Sequence, residues 1–531
     1  MNATAKAGGL TNPNAEPKVP FRSWLAYIGC LLGAFMAILD IQVTNSSIRD
    51  IQGALNATTE EISWISTAYL VAEIIVIPIS GWLCQVFSIR KYLFSSALLF
   101  VVFSVLCAFS WNINSMIVFR ALQGLSGGVM IPTAFIVMIM TLPPSKRPVG
   151  GALFGFTATF APTIGPTFGG WLTNNFGWQY IFFINVIPGV FMLSAIWFLL
   201  KQTPTQLHLL KEGDWSGMIC MAIGLGSMEV FLEEGNSKDW FNSQFIVIAA
   251  ILAVVFLTLF IWIELTKKKP FINLRLLKRR NFGMSSVVNM VVGLGLYGSV
   301  FILPLYLGQI QGYNALEIGK SLMWVGLPQF LILPFLPKLI QKVDIRILIM
   351  FGVSCFGGSC LMNAFMTNAT GGPQLIISQV IRALGQPLIM IPLTNLATAD
   401  IEPENAGSAA GLFNMMRNLG GSVGIALLST FLTKREQFHS ARITEGISLY
   451  SSATQQRIDS MTQFFISKGS DAFTAKNQAI TSIANIARRE SFVLAFNDCF
   501  LAVGLALFFS GLFILFAKKV KVSGKAGGGG H

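Results

Sequence analysis

Apolar residues come along this chain in long runs, set apart by short polar stretches that carry most of the charge. A run of about 20 residues crosses the hydrocarbon core of a bilayer as a helix, because only there is every backbone N–H and C=O satisfied internally. Fourteen such spans are expected, beginning near Trp24, Ile62, Tyr92, Ser115, Val149, Tyr180, Trp215, Gln244, Phe282, Glu317, Ile347, Pro373, Gly407 and Ser491. The pattern predicts an all-α polytopic membrane protein. The stretch before Phe21 is polar and lacks the apolar centre of a signal peptide, so the first span is expected to be retained. Between about Lys434 and Arg489 the pattern loosens to polar sequence with scattered apolar positions. That segment is expected to project from the membrane, as a solvated helical excursion or as a docking surface.

Composition agrees. The chain has 531 residues, 53% hydrophobic and 11% charged, with a mean hydropathy of +0.64. In a soluble chain the formal charge of +13 would point to nucleic acid, but in a membrane protein the placement of basic residues matters more than their sum. No nucleic-acid partner is expected. Alternate loops carry Lys6, Lys18 and Arg22, then Arg90 and Lys91, Lys146 and Arg147, Lys201 and Lys211, then the group Lys267, Lys268, Lys269, Arg275, Lys278, Arg279 and Arg280, and last Lys338, Lys342 and Arg346. The opposite short loops hold only Arg49 and Lys238, with Lys320 at a span edge. The positive-inside rule therefore places both termini in the cytoplasm, while 434–489, a long loop, translocates regardless of its charge. The seven cysteines lie in or beside apolar runs without ligand spacing, and the last of the three histidines, His531, follows a glycine run that looks like a cloning remnant. No metal site and no cofactor are expected.

Several residues break the apolar pattern. Gly165, Pro166, Gly169 and Gly170, in APTIGPTFGGWL, remove a backbone donor and side-chain bulk from the fifth span, so a neighbouring helix can approach closely and the pair can flex there. Ordinary small-residue packing accounts for them equally. Arg120, in RALQGLSGG, is an arginine inside a span, which is costly in lipid and should face the protein interior, as a functional group or in a structural ion pair. Asp40, in LDIQVTN, sits at nearly the same depth by the 1.5 Å helical rise. Pairing would hold Asp40 ionised and make it a gate or organiser rather than a simple proton carrier. Glu73 has no cationic residue within helical reach on its own span. It is a candidate proton carrier, a site for a cationic substrate, or a hydrogen-bonded structural group. Glu229 also interrupts an apolar run, whereas Glu233, Glu234 and Asp239 approach the span boundary, where interfacial solvation is expected. Arg417, in NMMRNLGG, falls near mid-span and could neutralise an anionic group or serve gating; Asp498 and Asn414 are weaker candidates. RALGQ from Arg382 is a short echo of the Arg120 sequence and fits an internal repeat.

Taken in order, these motifs resemble the major facilitator superfamily. The Gly165 segment resembles its antiporter motif, RALQGLSGG its fourth-helix motif, and GWLCQVFSIRK from Gly81 its loop motif. In that loop, Gln85 stands for the family's aspartate, Ser88 for its second glycine and Ile89 for a basic residue, leaving Gly81, Arg90 and Lys91 as gating candidates beside Gly165, Pro166, Gly169 and Gly170. With GWQYIFFINVIPG, PFINLRLLKRRNF, LPLYLGQIQGYNALEIGK and GLFNMMRNLGGSVGIAL, the chain is similar from about Trp24 to Phe516 to the fourteen-span drug:proton antiporter family, in its EmrB-like branch. The resemblance implies two six-helix bundles flanking a central cavity, with the spans near Trp215 and Gln244 as two additional helices. It implies export of small amphipathic compounds coupled to protons across a bacterial inner membrane, with Asp40, Glu73, Glu229, Arg120 and Arg417 as coupling candidates, and a periplasmic adaptor and outer-membrane channel as partners. The expected organisation is a cytoplasmic segment 1–23, a bundle 24–200, the added helices and linker 201–281, a second bundle 282–516 with the excursion 434–489, and a tail 517–531. Export of an endogenous metabolite such as a siderophore or fatty acid, and a non-transporting receptor on the same fold, are the alternatives. No nucleophile and base set or phosphate loop suggests an enzyme.

Overall fold

In the computed structural model the described residues are 19–519, without 144–145, 268–269, 333–334, 403–404 and 448–449. Lys6, Lys18, Lys268, Lys269, the side chain of Lys338 and the tail beyond Lys519 lie outside them. Among the described residues, eleven helices are long and apolar enough to cross a membrane. Those of the first half are α1 (Phe21–Ser46), α2 (Thr59–Phe87), α3 (Ile89–Ala108), α4 (Ile113–Thr141) and α6 (Tyr180–Leu199), with α5 (Arg147–Phe176) between the last two. Then come α7 (Trp215–Gly235), α8 (Gln244–Thr266), α9 (Arg280–Gln309), α10 (Ala315–Gly326), α11 (Ile345–Asn363), α12 (Gly372–Thr398) and α13 (Ala406–Glu445). The chain ends with α14 (Ser452–Ser467) and α15 (Ala472–Ile514). The three other expected span positions are helical as well, in α5, in α13 and in α10 with its short successors Gln329–Ile332 and Leu336–Lys342. Fourteen crossings are compatible with this arrangement. Pro328, which cannot donate to a helical ladder, falls between α10 and Gln329–Ile332, and a proline in its first turn opens Leu336–Lys342.

The helix starts are written locally. Capping boxes open α2, α4 and α10: the N–H of Glu61 donates to Thr58 Oγ1 (3.2 Å), that of Ser115 to Asn112 Oδ1 (2.8 Å) and that of Glu317 to Asn314 Oδ1 (3.0 Å). Each satisfies donors that the first helical turn leaves free. Asp214 caps α7 and Asp344 caps α11, accepting from the N–H of Gly217 and of Arg346.

Two hydrophobic cores follow from the helix packing. One is built by α1 to α6 and the other by α9 to α13 with α15, joined by Met221 and Leu225 of α7 and Phe260 of α8. Ile74 of α2 belongs to the second core and Ala410 of α13 to the first, so these two helices knit the halves together. The added helix α7 packs on α2 and α13 as well as on α8. α8 meets mainly α7 and turns its apolar side chains outward, with Val254 67% and Trp262 64% exposed, as a lipid-facing helix does.

The described residues of 434–489 are mostly helical, as the helical-excursion reading expects, but with other boundaries. α13 runs 40 residues without interruption and α15 runs 43, so the last helix starts at Ala472 rather than near Ser491. Between Lys476 and Ser491 there is neither Gly nor Pro, and helix growth continues once nucleated. α14 packs against α15, closing a helical hairpin.

Candidate functional site

The glycines of α5 sit where helices meet most closely. A Cβ on Gly165 would overlap Gln42 of α1, and one on Gly169 would overlap Ser46 Oγ and come within 2.8 Å of the Val43 carbonyl oxygen. Gly170 is buried beside them, and Pro166, half-buried, lies inside the helix with Pro162. The same stretch meets the other half, since a Cβ on Gly319 of α10 would overlap Thr167. On the opposite side of the interface, Gly81 of α2 lies against the backbone of Gly407 of α13, whose carbonyl oxygen would be 3.3 Å from an added Cβ, and Gly155 of α5 faces Ile391 and Met390 of α12. The two bundles are thus in contact on both sides of the molecule's centre.

The loop after α2 shows how its departures from the family pattern are absorbed. Ser88 adopts φ +74°, a conformation that favours glycine, and its hydroxyl accepts a hydrogen bond from Thr203 (3.0 Å). Arg90 stacks over Trp197 at 4.8 Å, while Lys91 and Gln85 are exposed. In the second half, Arg279 donates to the Asp400 carbonyl and to Glu402 (2.8 Å), and this ion pair holds the Glu402 carboxyl down at about 2.

Asp40 and Arg120 meet in an ion pair whose side chains are both 0% exposed. Gln123 and Asn185 donate to the other Asp40 oxygen at 3.0 and 2.7 Å, and Gln123 accepts from Arg120 at 2.9 Å. The guanidinium also donates to the Ile65 carbonyl (3.3 Å) and lies 4.4 Å over the Tyr69 ring. Of the Arg120 nitrogens in this network, only Nη2 lacks a partner. Asn185, from GWQYIFFINVIPG, is a member whose role its own span did not reveal.

Glu73 is elsewhere. It is 4% exposed, and no hydrogen bond or ion pair to it is found among the described residues. It lines a cavity of about 560 Å³ together with Gln42, Tyr297, Asn418, Ser422 and two carboxylates of α7, Glu229 and Glu233. Glu229 accepts from Ser422 Oγ at 2.8 Å, and its second oxygen has no partner. Here two expectations are corrected. Glu233 lines the cavity rather than the interface, and Glu234 is buried, accepting from Ser63 (2.8 Å) and Thr67 (3.0 Å). The four-residue spacing of Glu229 and Glu233, which puts both on one helix face, was the signal available in the sequence. Asp239 is exposed.

Arg417 lines a second cavity, of about 510 Å³, with Asn414, Thr394, Thr398 and apolar side chains of α4, α5, α12 and α13. Its Nη2 donates to Asn414 (3.0 Å) and its Nε has no partner. Asp498 accepts instead from Arg435 (2.6 Å) and pairs with His439 (2.7 Å) at the base of the hairpin.

Two helical bundles closing on cavities lined by buried charges define a membrane transporter. The family model of the Major Facilitator Superfamily matches residues 30–425. The Colistin resistance protein EmrB of Acinetobacter baumannii is 33% identical, over 96% of this chain and 99% of its own length. The Multidrug export protein EmrB of Haemophilus influenzae is 32% identical over 88% and 90%, and the Fatty acid resistance protein FarB of Neisseria gonorrhoeae 30% over 96% and 98%. The proton:xylose symporter XylE superposes with a TM-score of 0.58 at 13% identity, covering 94% of this chain and 97% of that one, and shares the fold. The chain belongs to the major facilitator superfamily, in its EmrB-like branch, and is a multi-pass transporter rather than an enzyme.

Proposed function

We propose that this protein is a proton-coupled exporter of amphipathic toxic compounds. It works in a bacterial inner membrane with both termini in the cytoplasm. The carrying observation is Glu73, a buried carboxyl without a partner among the described residues, facing a cavity between two bundles. A group that exchanges a proton with alternate sides should not be locked to a hydrogen-bonded counter-ion; Asp40 is paired with Arg120, whereas no such pair to Glu73 is found among the described residues. Asp40 and Arg120 organise the first bundle, Gly165, Pro166, Gly169 and Gly170 give the mobile contact on one side, and Gly81, Arg90 and Lys91 serve the gate on the other. The bundles correspond to 24–200 and 282–516, with 201–281 as the added helices and linker.

Relatives named for multidrug export and colistin resistance support a toxic-compound substrate. The hairpin at 434–489 suits a periplasmic adaptor leading to an outer-membrane channel. A fatty-acid-like metabolite is the second reading, favoured by the FarB relative and by Arg417, whose free Nε could meet a carboxylate in the second cavity. In proteoliposomes, Glu73→Gln is expected to abolish gradient-driven efflux while substrate counterflow persists, since amide and acid are nearly isosteric but only the acid releases a proton. Undiminished gradient-driven efflux would remove Glu73 from the coupling.

A further inference from the structure

The added helices α7 and α8 lie between the two bundles in sequence, with Met221, Leu225 and Phe260 joining the second core, and α7 packs on α2 and α13 and delivers two carboxyl groups to the Glu73 cavity. Glu229 and Glu233 stand one helical turn apart on one face of α7, and Glu73 faces the same space from α2. The polar atoms there are unbalanced. Glu229 Oε2 and Asn418 Oδ1 are buried acceptors with no donor, and Glu73 has no partner among the described residues. Every charged side chain lining the cavity is acidic. Of the charged groups nearby, Arg417 of α13 lines the second cavity and donates to Asn414 through Nη2, its Nε being without a partner, and Glu234 of α7 is held by Ser63 and Thr67. Gln42 and Ser422 also line the Glu73 cavity, its apolar wall includes Ile38, Ile74 and Ile425, and it carries one aromatic ring, Tyr297.

From this juxtaposition we infer that α7 supplies the recognition site for an amphipathic organic cation. Glu229 and Glu233 face its positive end, Tyr297 offers a π face to the charge, and the isoleucines cover its apolar body. The inference rests on the export reading and narrows it. Glu73 serves the proton, and the carboxyls of the added helix serve the cation that leaves in exchange. The extra helix pair is then part of the substrate site and not a passive spacer between bundles. Unpaired buried acceptors reject an uncharged isostere as strongly as they accept a cation, because the isostere leaves them without a donor.

The test is binding of radiolabelled tetraphenylphosphonium to the purified full-length protein in detergent, with no proton gradient. Saturable binding by the native chain is expected, weakened about tenfold by Glu229→Gln and lost in the Glu229→Gln/Glu233→Gln double variant. Glu234→Gln, outside the cavity, should bind as the native chain does. Melting curves in the same detergent establish that each variant is folded; for any that is not, Glu229→Asp and Glu233→Asp take its place, with a shift in affinity expected from the shortened carboxylates. Absence of binding by the native chain, or unaltered affinity in the folded double variant and the aspartate variants, would overturn the inference. A failure of proton-driven flux in the native chain would instead fall on the export reading, since no step of this measurement uses a gradient.

Discussion

The two halves each bury one arginine in the same short sequence, RAL, and treat it differently. Arg120 is 0% exposed and Arg382 3%. Arg120 has Asp40 as its counter-ion, Gln123 and the Ile65 carbonyl as further acceptors, and Tyr69 under its plane; only its Nη2 lacks a partner. Arg382 keeps the aromatic contact, 4.9 Å over Phe356, but its Nε and Nη2 are both without acceptors, and no carboxylate pairs with it among the described residues. The repeat has preserved the cation and its ring while only the first half supplies the anion. A buried ion pair depends on both members, whereas a cation over a ring in a polarisable core can persist without one. The first half is therefore held by a charge post, the second by packing.

The halves agree elsewhere. The close approach of α1 and α5 at Gly165 and Gly169 is matched by α9 and α13, where Cβ atoms on Gly293 and Gly420 would overlap the backbones of Arg417 and Met290. Small residues let backbones touch in both bundles, which in lipid is a principal source of helix association.

The sharpest way to break the comparison is Arg120→Met, which strands the Asp40 carboxylate and should cost about 3–5 kcal/mol, read as a large fall in melting temperature in detergent. Next come Gly169→Leu and Gly424→Leu, where an added Cβ on Gly424 would already lie 2.8 Å from Leu294 Cα. Overpacking of about 1–3 kcal/mol should leave both inserted but unable to transport, and normal efflux by either would dissociate the two halves. Asn185→Leu removes the donor to Asp40 and Ser104 and should cost about 1–2 kcal/mol, with a smaller fall on the same curves. The smallest effect belongs to Arg382→Met. With no counter-ion to strand, it should change stability by less than about 1 kcal/mol or raise it, and a fall matching that of Arg120→Met would show that Arg382 is held as firmly as its counterpart.

Much of this was legible beforehand. The apolar spans and the depth match of Asp40 with Arg120 follow from hydropathy and helical rise alone. Glu233 and Glu234 were misplaced because nearness to a span end was taken as solvation, while α7 is covered there by α2, from which Ser63 and Thr67 donate to Glu234. The segment 434–489 was read as a helical excursion, but the continuation of α13 and α15 into it without interruption was not foreseen, since hydropathy falls where the apolar run ends and the helical ladder does not.

By itself, the sequence determined that this chain lives in lipid, how many crossings it has room for, and which residues are too polar to face the bilayer. Those are properties of short segments, fixed by transfer free energy and by the need to satisfy the backbone. Only the tertiary structure decided which buried charges meet. Asp40 and Arg120 are 80 residues apart, and Glu229 finds Ser422 across 193. A helix in lipid is free to rotate about its axis until packing fixes it, so the face that becomes a site is chosen by its neighbours.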